Sequence, residues 1–240
     1  MPRALIINPN TSDKVTQILS DHIASHLPAD WQLLRATARF GADYIASEAS
    51  YAISAHACLD AFAPHAGQCD AVLIGCFGDP GIEALRELAG VPVIGLAEAA
   101  MQEAARYGRF AIVTGGQRWP AILQRRAQAA GLAAQLADIR IVPASGAELA
   151  ARPDYARQVL GELCLQIMEA QPVDAIVLGG AALAGLGDVL AEELGLAVVD
   201  SVSAAARALQ ASAAAGCADA DRDGAQYSGV SDVLREFLRG

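Results

Sequence analysis

The residue with the most chemistry to offer is Cys76, in the stretch LIGCFGDPG at residues 73–81. An apolar run carries the chain into a thiol, then into glycines and a proline. A strand that ends this way delivers its next side chain to the carboxyl edge of a sheet, just ahead of a helix. There a helix N-terminus lowers a thiol pKa and makes a thiolate available. Cysteine is also among the most buried residue types and often only fills space, so position alone leaves both readings open. Cys58, Cys69, Cys164 and Cys217 fall in helical stretches or connecting loops, where space-filling is the better reading. The five cysteines form no C-x-x-C pair and are odd in number. A disulfide framework or structural zinc site is therefore not expected, and a reduced, cytoplasmic setting is.

Other chemistries find little support. No G-x-G-x-x-G opens a helix after the first apolar run, and no G-x-x-x-x-G-K-[ST] occurs, which removes dinucleotide and P-loop readings. His22, His26, His56 and His65 all sit in helical stretches; the i,i+4 pair His22 and His26 lacks the Glu of a zincin. DADRDG at residues 219–224 imitates the start of a calcium loop, but Val230 stands where the bidentate Glu belongs. No histidine is placed at a strand end to serve a Cys-His-Asp hydrolase. No metal site is expected.

The elements that must position Cys76 come from an internal repeat. DAVLIGCFGDPGIEALRELAGVPVIGLAEAAMQEA begins at Asp70 and DAIVLGGAALAGLGDVLAEELGLAVVDSVSAAARAL at Asp174. Asp70 aligns with Asp174, Gly75 with Gly179 and Gly81 with Gly185. After one inserted residue Gly90 aligns with Gly195 and Val93 with Val198. ALIINPNTS at Ala4 pairs with FAIVTGGQR at Phe110. Strand candidates at 33–37 and 139–143 correspond, as do helical stretches at 48–66 and 154–170.

Short apolar runs alternating with longer amphipathic stretches indicate parallel strands with crossover helices. The expected fold is α/β: two similar doubly wound lobes, each with a small parallel sheet, related by a pseudo-twofold repeat. One continuous eight-stranded sheet is the alternative. The lobes are expected at 1–96 plus 210–240 and at 97–209, with a last helix, VSDVLREFLRG, packing back on the first. Ligands of such sheets bind at the carboxyl ends of strands, which puts the expected active site in a cleft between the lobes. The strand-end turns there are NPNTS (8–12), GCFGDPG (75–81), TGGQ (114–117) and GGAALAG (179–185). Their small and hydroxyl residues suit an anionic or carbonyl-bearing ligand.

Composition narrows the partners. A net charge of −10 argues against nucleic acid or an anionic membrane, both of which need a basic footprint. No run of eighteen apolar residues suggests a membrane span, and the opening RALIINPN reads as a strand rather than a signal peptide. Lysine is represented by Lys14 alone. A pyridoxal phosphate enzyme needs a Schiff-base lysine, and Lys14 in an opening helix is a poor one. No cofactor is expected.

On INPNTS (7–12), GCFGDPGIEALRE (75–87), VPVIGLAEAAM (91–101) and VVDSVSAA (198–205), the sequence resembles the aspartate/glutamate/hydantoin racemase superfamily, in particular its hydantoin and allantoin racemase branch. The resemblance implies two lobes facing each other across the active site, each contributing a cysteine at the equivalent strand end. One thiolate removes the proton next to a carbonyl or carboxylate, and the other thiol protonates the opposite face, without a cofactor. It implies a small carboxylate or hydantoin-like substrate; family members commonly associate, which leaves a homo-oligomer open. Asn8, Thr11, Ser12 and Thr114 would position the substrate's polar end. Phe77 and Gly78, and Gly180 and Ala181 opposite, would offer amide donors to an enolate-like charge.

The departure is Gly180, standing where the family's second cysteine belongs. Three readings stay open. Another group or a water serves the second face; or Cys76 does one-sided proton chemistry, as in single-cysteine decarboxylases acting on malonate-like acids; or the chain binds a small acid without turning it over.

Overall fold

The computed structural model describes residues 1–144, 148–149, 151–180, 183, 185–212 and 220–239. The chain divides into two compact units, Met1–Gly95 with Ala206–Gly240, and Leu96–Ala205.

In the first unit the order is β1 (Arg3–Asn8), α1 (Asp13–His26), β2 (Gln32–Thr37), α2 (Glu48–Phe62), a 3-10 turn (Ala63–His65), β3 (Ala71–Ile74), α3 (Ile82–Leu88) and β4 (Val93–Gly95). All strand pairs are parallel, in the order β2-β1-β3-β4. The second unit contains α4 (Leu96–Ala105), β5 (Phe110–Gly115), α5 (Trp119–Ala129), β6 (Leu136–Val142), α6 (Pro153–Ala170), β7 (Ala175–Gly179), α7 (Gly187–Leu194) and β8 (Ala197–Asp200). Its order is β6-β5-β7-β8, again parallel. Helix α8 (Ser201–Ser212) carries the chain back to the first unit, which α9 (Asp232–Arg239) completes. Two four-stranded sheets form, not one sheet of eight.

Strand composition explains strand position. The inner strands are unbroken apolar runs, and Leu5, Ile6 and Ile7 of β1 and Ile112 and Val113 of β5 are fully buried. A parallel strand covered by helices on both faces must be apolar throughout. Of the edge strands, QLLRAT (β2) and LADIRIV (β6) interleave polar residues and stay partly exposed. The repeat also has a structural explanation at its first residue. The Asp70 carboxylate accepts the Arg3 amide at 2.8 Å, and Asp174 accepts the Arg109 amide at 2.7 Å. Each aspartate therefore fastens the start of the third strand of its sheet to the start of the first.

Local chemistry starts the helices. Ser12 caps α1 by accepting the Val15 amide. Ser47 and Ser50 form a reciprocal capping box on α2, which satisfies donors that a helix start leaves open. Helix α9 packs on the first unit through Leu234 and Leu238 against Ala63 and Leu88. The buried Asp60 carboxylate in α2 holds both the Arg39 guanidinium and the Ser231 hydroxyl that precedes α9. No helix among the described residues is long and apolar enough to cross a membrane.

Candidate functional site

The turn after β3 is built around Cys76. The carbonyl of Cys76 accepts the Gly78 amide at 2.8 Å and the Asp79 amide at 3.0 Å, which folds the chain back sharply. From α2, the Tyr51 hydroxyl donates to the Gly78 carbonyl at 2.8 Å and pins the outside of the turn. Asp79 then takes a left-handed backbone conformation (φ 53°), uncommon for a residue with a Cβ, although Asp tolerates it better than most. It is fully buried.

Gly95, at the end of β4, shows where its side chain lies. A Cβ on Gly95 would come within 2.4 Å of the Asp79 carboxylate carbon. The carboxylate therefore rests on the bare Cα of Gly95.

This arrangement corrects two expectations. Helix α3 starts at Ile82, six residues beyond Cys76, and gives the thiol no helix start of its own. Burial, followed by the negative charge of Asp79 and then by Cys58, pushes the Cys76 pKa well above the usual thiol range. The resting group is the neutral S–H rather than the thiolate. The Gly78 amide already donates to Cys76 and is not an open donor; the Cys76 and Phe77 amides donate to no acceptor among the described residues.

Cys76 differs from the remaining described cysteines in reaching solvent in part, whereas Cys58, Cys69 and Cys164 are buried. Burial raises all three as well, Cys69 to about 11 and Cys164 to about 12. Cys217 lies outside the described residues.

The turn after β1 is held by Asn8, which is fully buried. Its amide nitrogen donates to Asn10 Oδ1 at 2.8 Å, the Ser12 carbonyl at 3.0 Å and Thr16 Oγ1 at 3.0 Å, and its oxygen accepts the Asn10 amide. Asn8 thus shapes the loop rather than presenting a polar group of its own. Ser12 is engaged as the α1 cap. Thr11 anchors the loop through its amide, which donates to Ala42, and its partly exposed hydroxyl has no partner among the described residues.

In the second unit the corresponding turns are equally committed. The buried Thr114 hydroxyl donates to the Gly179 carbonyl at 2.7 Å, tying β5 to β7. The Gly180 amide donates to the Ser201 hydroxyl at 3.1 Å. Gly180 has φ 116°, a conformation that side-chain-bearing residues rarely adopt, yet a Cβ there would meet nothing within 4 Å among the described residues. Ala181 lies outside the described residues.

Asp200 was missed by the sequence reading. Its carboxylate accepts the Gly185 amide at 2.8 Å, the Val202 amide at 2.8 Å and the Ser203 amide at 3.0 Å. It caps α8 and ties the strand-end loop of β7 to β8. An acidic residue directly ahead of a helix was the available signal. Among the described residues no cluster of three or more His, Cys, Asp or Glu side chains is arranged to hold a metal.

Comparison with known proteins agrees with this architecture. The Asp/Glu/Hydantoin racemase family model matches residues 5–209. The hydantoin racemase of Paenarthrobacter aurescens is 31% identical over 219 residues, covering 89% of this chain and 92% of its own. Allantoin racemase from Klebsiella pneumoniae superimposes with a TM-score of 0.89 at 31% identity, covering 98% of this chain and 99% of its own. A variant of arylmalonate decarboxylase shares the fold, with a TM-score of 0.68 at 20% identity over 92% of this chain and 97% of its own. A family match over most of the length, residues 5–209, places the chain in the Asp/Glu/hydantoin racemase family.

Proposed function

We propose that this racemase-family chain is a cofactor-independent isomerase-type enzyme that moves a proton at a carbon next to a carboxylate or amide. Its substrate is a small hydantoin- or allantoin-like molecule, and Cys76 is the proton-transfer residue. The observation that carries this reading is the turn itself: among the described cysteines Cys76 alone reaches solvent, at a strand end.

A thiol kept neutral by its surroundings acts first as an acid. Once a base on the other face has taken the α-proton, or a carboxylate of a malonate-like acid has left as carbon dioxide, the Cys76 S–H bond breaks as a C–H bond forms on the planar enolate-like carbon, and the electron pair stays on sulfur as thiolate. In the reverse direction the thiolate takes the proton back. A carbon acid is much weaker than a thiol, so the enolate-like charge needs donors placed in advance. The open amides of Cys76 and Phe77 and the Thr11 hydroxyl fit that task.

A one-sided version of the reaction is favoured by one observation, the glycine at 180. A racemase of two thiols has an acid or base on each face of the carbon, and Gly180 offers no side-chain group. Water or another group then serves the second face, or protonation occurs from one face only, as a decarboxylase of a malonate-like acid requires.

Proton NMR in heavy water, following the α-hydrogen of each enantiomer of a 5-substituted hydantoin and of allantoin, tests the assignment. Exchange accompanied by loss of optical rotation supports racemisation. Exchange of one enantiomer with retention supports one-sided chemistry. Cys76→Ser is expected to abolish exchange, lowering the rate by at least about a hundredfold; exchange at the wild-type rate would remove Cys76 from the mechanism.

A further inference from the structure

Each unit places one carboxylate between the turn after its third strand and the end of its fourth. In the second unit Asp200, at the end of β8, reaches the Gly185 amide in the turn. The repeat aligns Gly185 with Gly81 and, in the register of Val93 with Val198, Asp200 with Gly95. In the first unit the direction is reversed: the turn supplies the carboxylate, Asp79, and the strand end supplies the bare Gly95 beneath it. The space is equivalent and the donor of the acid has changed sides.

The consequence differs between the units. The turn of the second unit has Gly180 where the first has Cys76. The first unit's carboxylate belongs to the same tight turn as a thiol, three residues along and joined to it through the Asp79 amide on the Cys76 carbonyl at 3.0 Å. Among the described residues, the charged or titratable groups acting on Cys76 are Asp79 from its own turn and Cys58 from α2. Tyr51, also from α2, engages the Gly78 carbonyl instead.

We infer that Asp79 is a positioning residue whose carboxylate, seated on Gly95, holds the Cys76 turn in its left-handed form and sets a negative charge in the same turn as the thiol, so that Cys76 works as an acid. This rests on the reading of Cys76 as the proton-transfer group. Burial alone would raise a thiol in any packed turn; the carboxylate adds a charge, and that charge can be removed without changing shape. Asparagine has nearly the same volume as aspartate and also tolerates positive φ, so Asp79→Asn deletes the charge at a backbone angle the new residue accepts.

The test is the pH dependence of Cys76 alkylation by iodoacetamide, read by peptide mass spectrometry without substrate. In Asp79→Asn the midpoint is expected about one pH unit lower than in the wild type, which makes alkylation about tenfold faster at pH 8. A folded Asp79→Asn protein with the wild-type profile overturns the inference. If that variant does not fold, Gly95→Ala decides, because its methyl group displaces the carboxylate without altering Asp79. Faster alkylation in Gly95→Ala supports the inference, and an unchanged profile overturns it. Substrate exchange by Cys76→Ser is a separate measurement. A shifted alkylation profile beside undiminished exchange in that variant would keep Asp79's effect on the thiol and remove the proton-transfer role.

Discussion

Gly180 offers a sharp test because its sterics and its backbone predict opposite outcomes. Among the described residues a Cβ there meets nothing within 4 Å, so alanine fits by volume. At φ 116°, however, a side-chain-bearing residue carries backbone strain of about 1–3 kcal/mol. Rotation to negative φ would relieve that strain but move the Gly180 amide away from the Ser201 hydroxyl, losing a hydrogen bond of about 1 kcal/mol. Either route destabilises. At about 2–4 °C per kcal/mol for a chain of this size, Gly180→Ala is expected to lower the Tm by about 3–10 °C in calorimetry. Had the backbone been compatible with alanine, the substitution would instead stabilise by about 0.4–1 kcal/mol through the unfolded chain. A Tm equal to or above the wild type therefore refutes the reasoning. Gly180→Cys should show the same Tm loss and remain folded, since ordinary stability is about 5–15 kcal/mol. If the second face lacks only a proton-transfer group, Gly180→Cys gains racemisation in the heavy-water assay. A stable Gly180→Cys protein without that gain would mean that more than the thiol has changed.

Two further outcomes are expected. Asn8→Ala removes a buried side chain that bonds Asn10, Ser12 and Thr16, and should cost about 2–4 kcal/mol, seen as a Tm lower by about 5–15 °C; a raised KM with unchanged Tm would instead make Asn8 a substrate contact. Alkaline pH should destabilise the fold, because burial raises the thiols of Cys58, Cys69, Cys76 and Cys164 above their unfolded value of about 8.5. The native state then holds protons that the unfolded chain releases. This contribution is complete below about pH 8.5 and is lost as pH rises through the folded values, by up to about 1.4 kcal/mol per thiol per pH unit. A Tm that stays level from pH 7.5 to 10.5, or an equal slope in Cys164→Ala, would contradict it.

Much of the architecture could be read from sequence because it follows from short-range pattern. Apolar runs such as ALII and FAIV can be satisfied only where helices cover both faces of a parallel strand. The repeat from Asp70 to Asp174 then duplicates the unit, down to the aspartate that ties the third strand to the first. The strand-end location of Cys76 and the glycine at 180 were equally visible, since both follow from where an apolar run stops.

The state of those residues was decided by the tertiary structure, because it depends on groups distant in sequence or on backbone angles that composition does not reveal. The strand-to-helix pattern around Cys76 suggested a thiolate, whereas packing beside Asp79 and Cys58 favours the thiol. Asn8 and Thr114 looked like free polar groups, yet Asn8 meets Thr16 only once α1 folds back beside the end of β1, and Thr114 meets Gly179 only when β5 and β7 pair. Nothing in the pattern around Gly95 marks it as the seat of the Asp79 carboxylate, which the fold brings onto its Cα. Sequence alone determined which groups arrive at the strand ends. Desolvation, proximity and backbone strain, which exist only in the folded chain, determined what chemistry those groups are prepared to do.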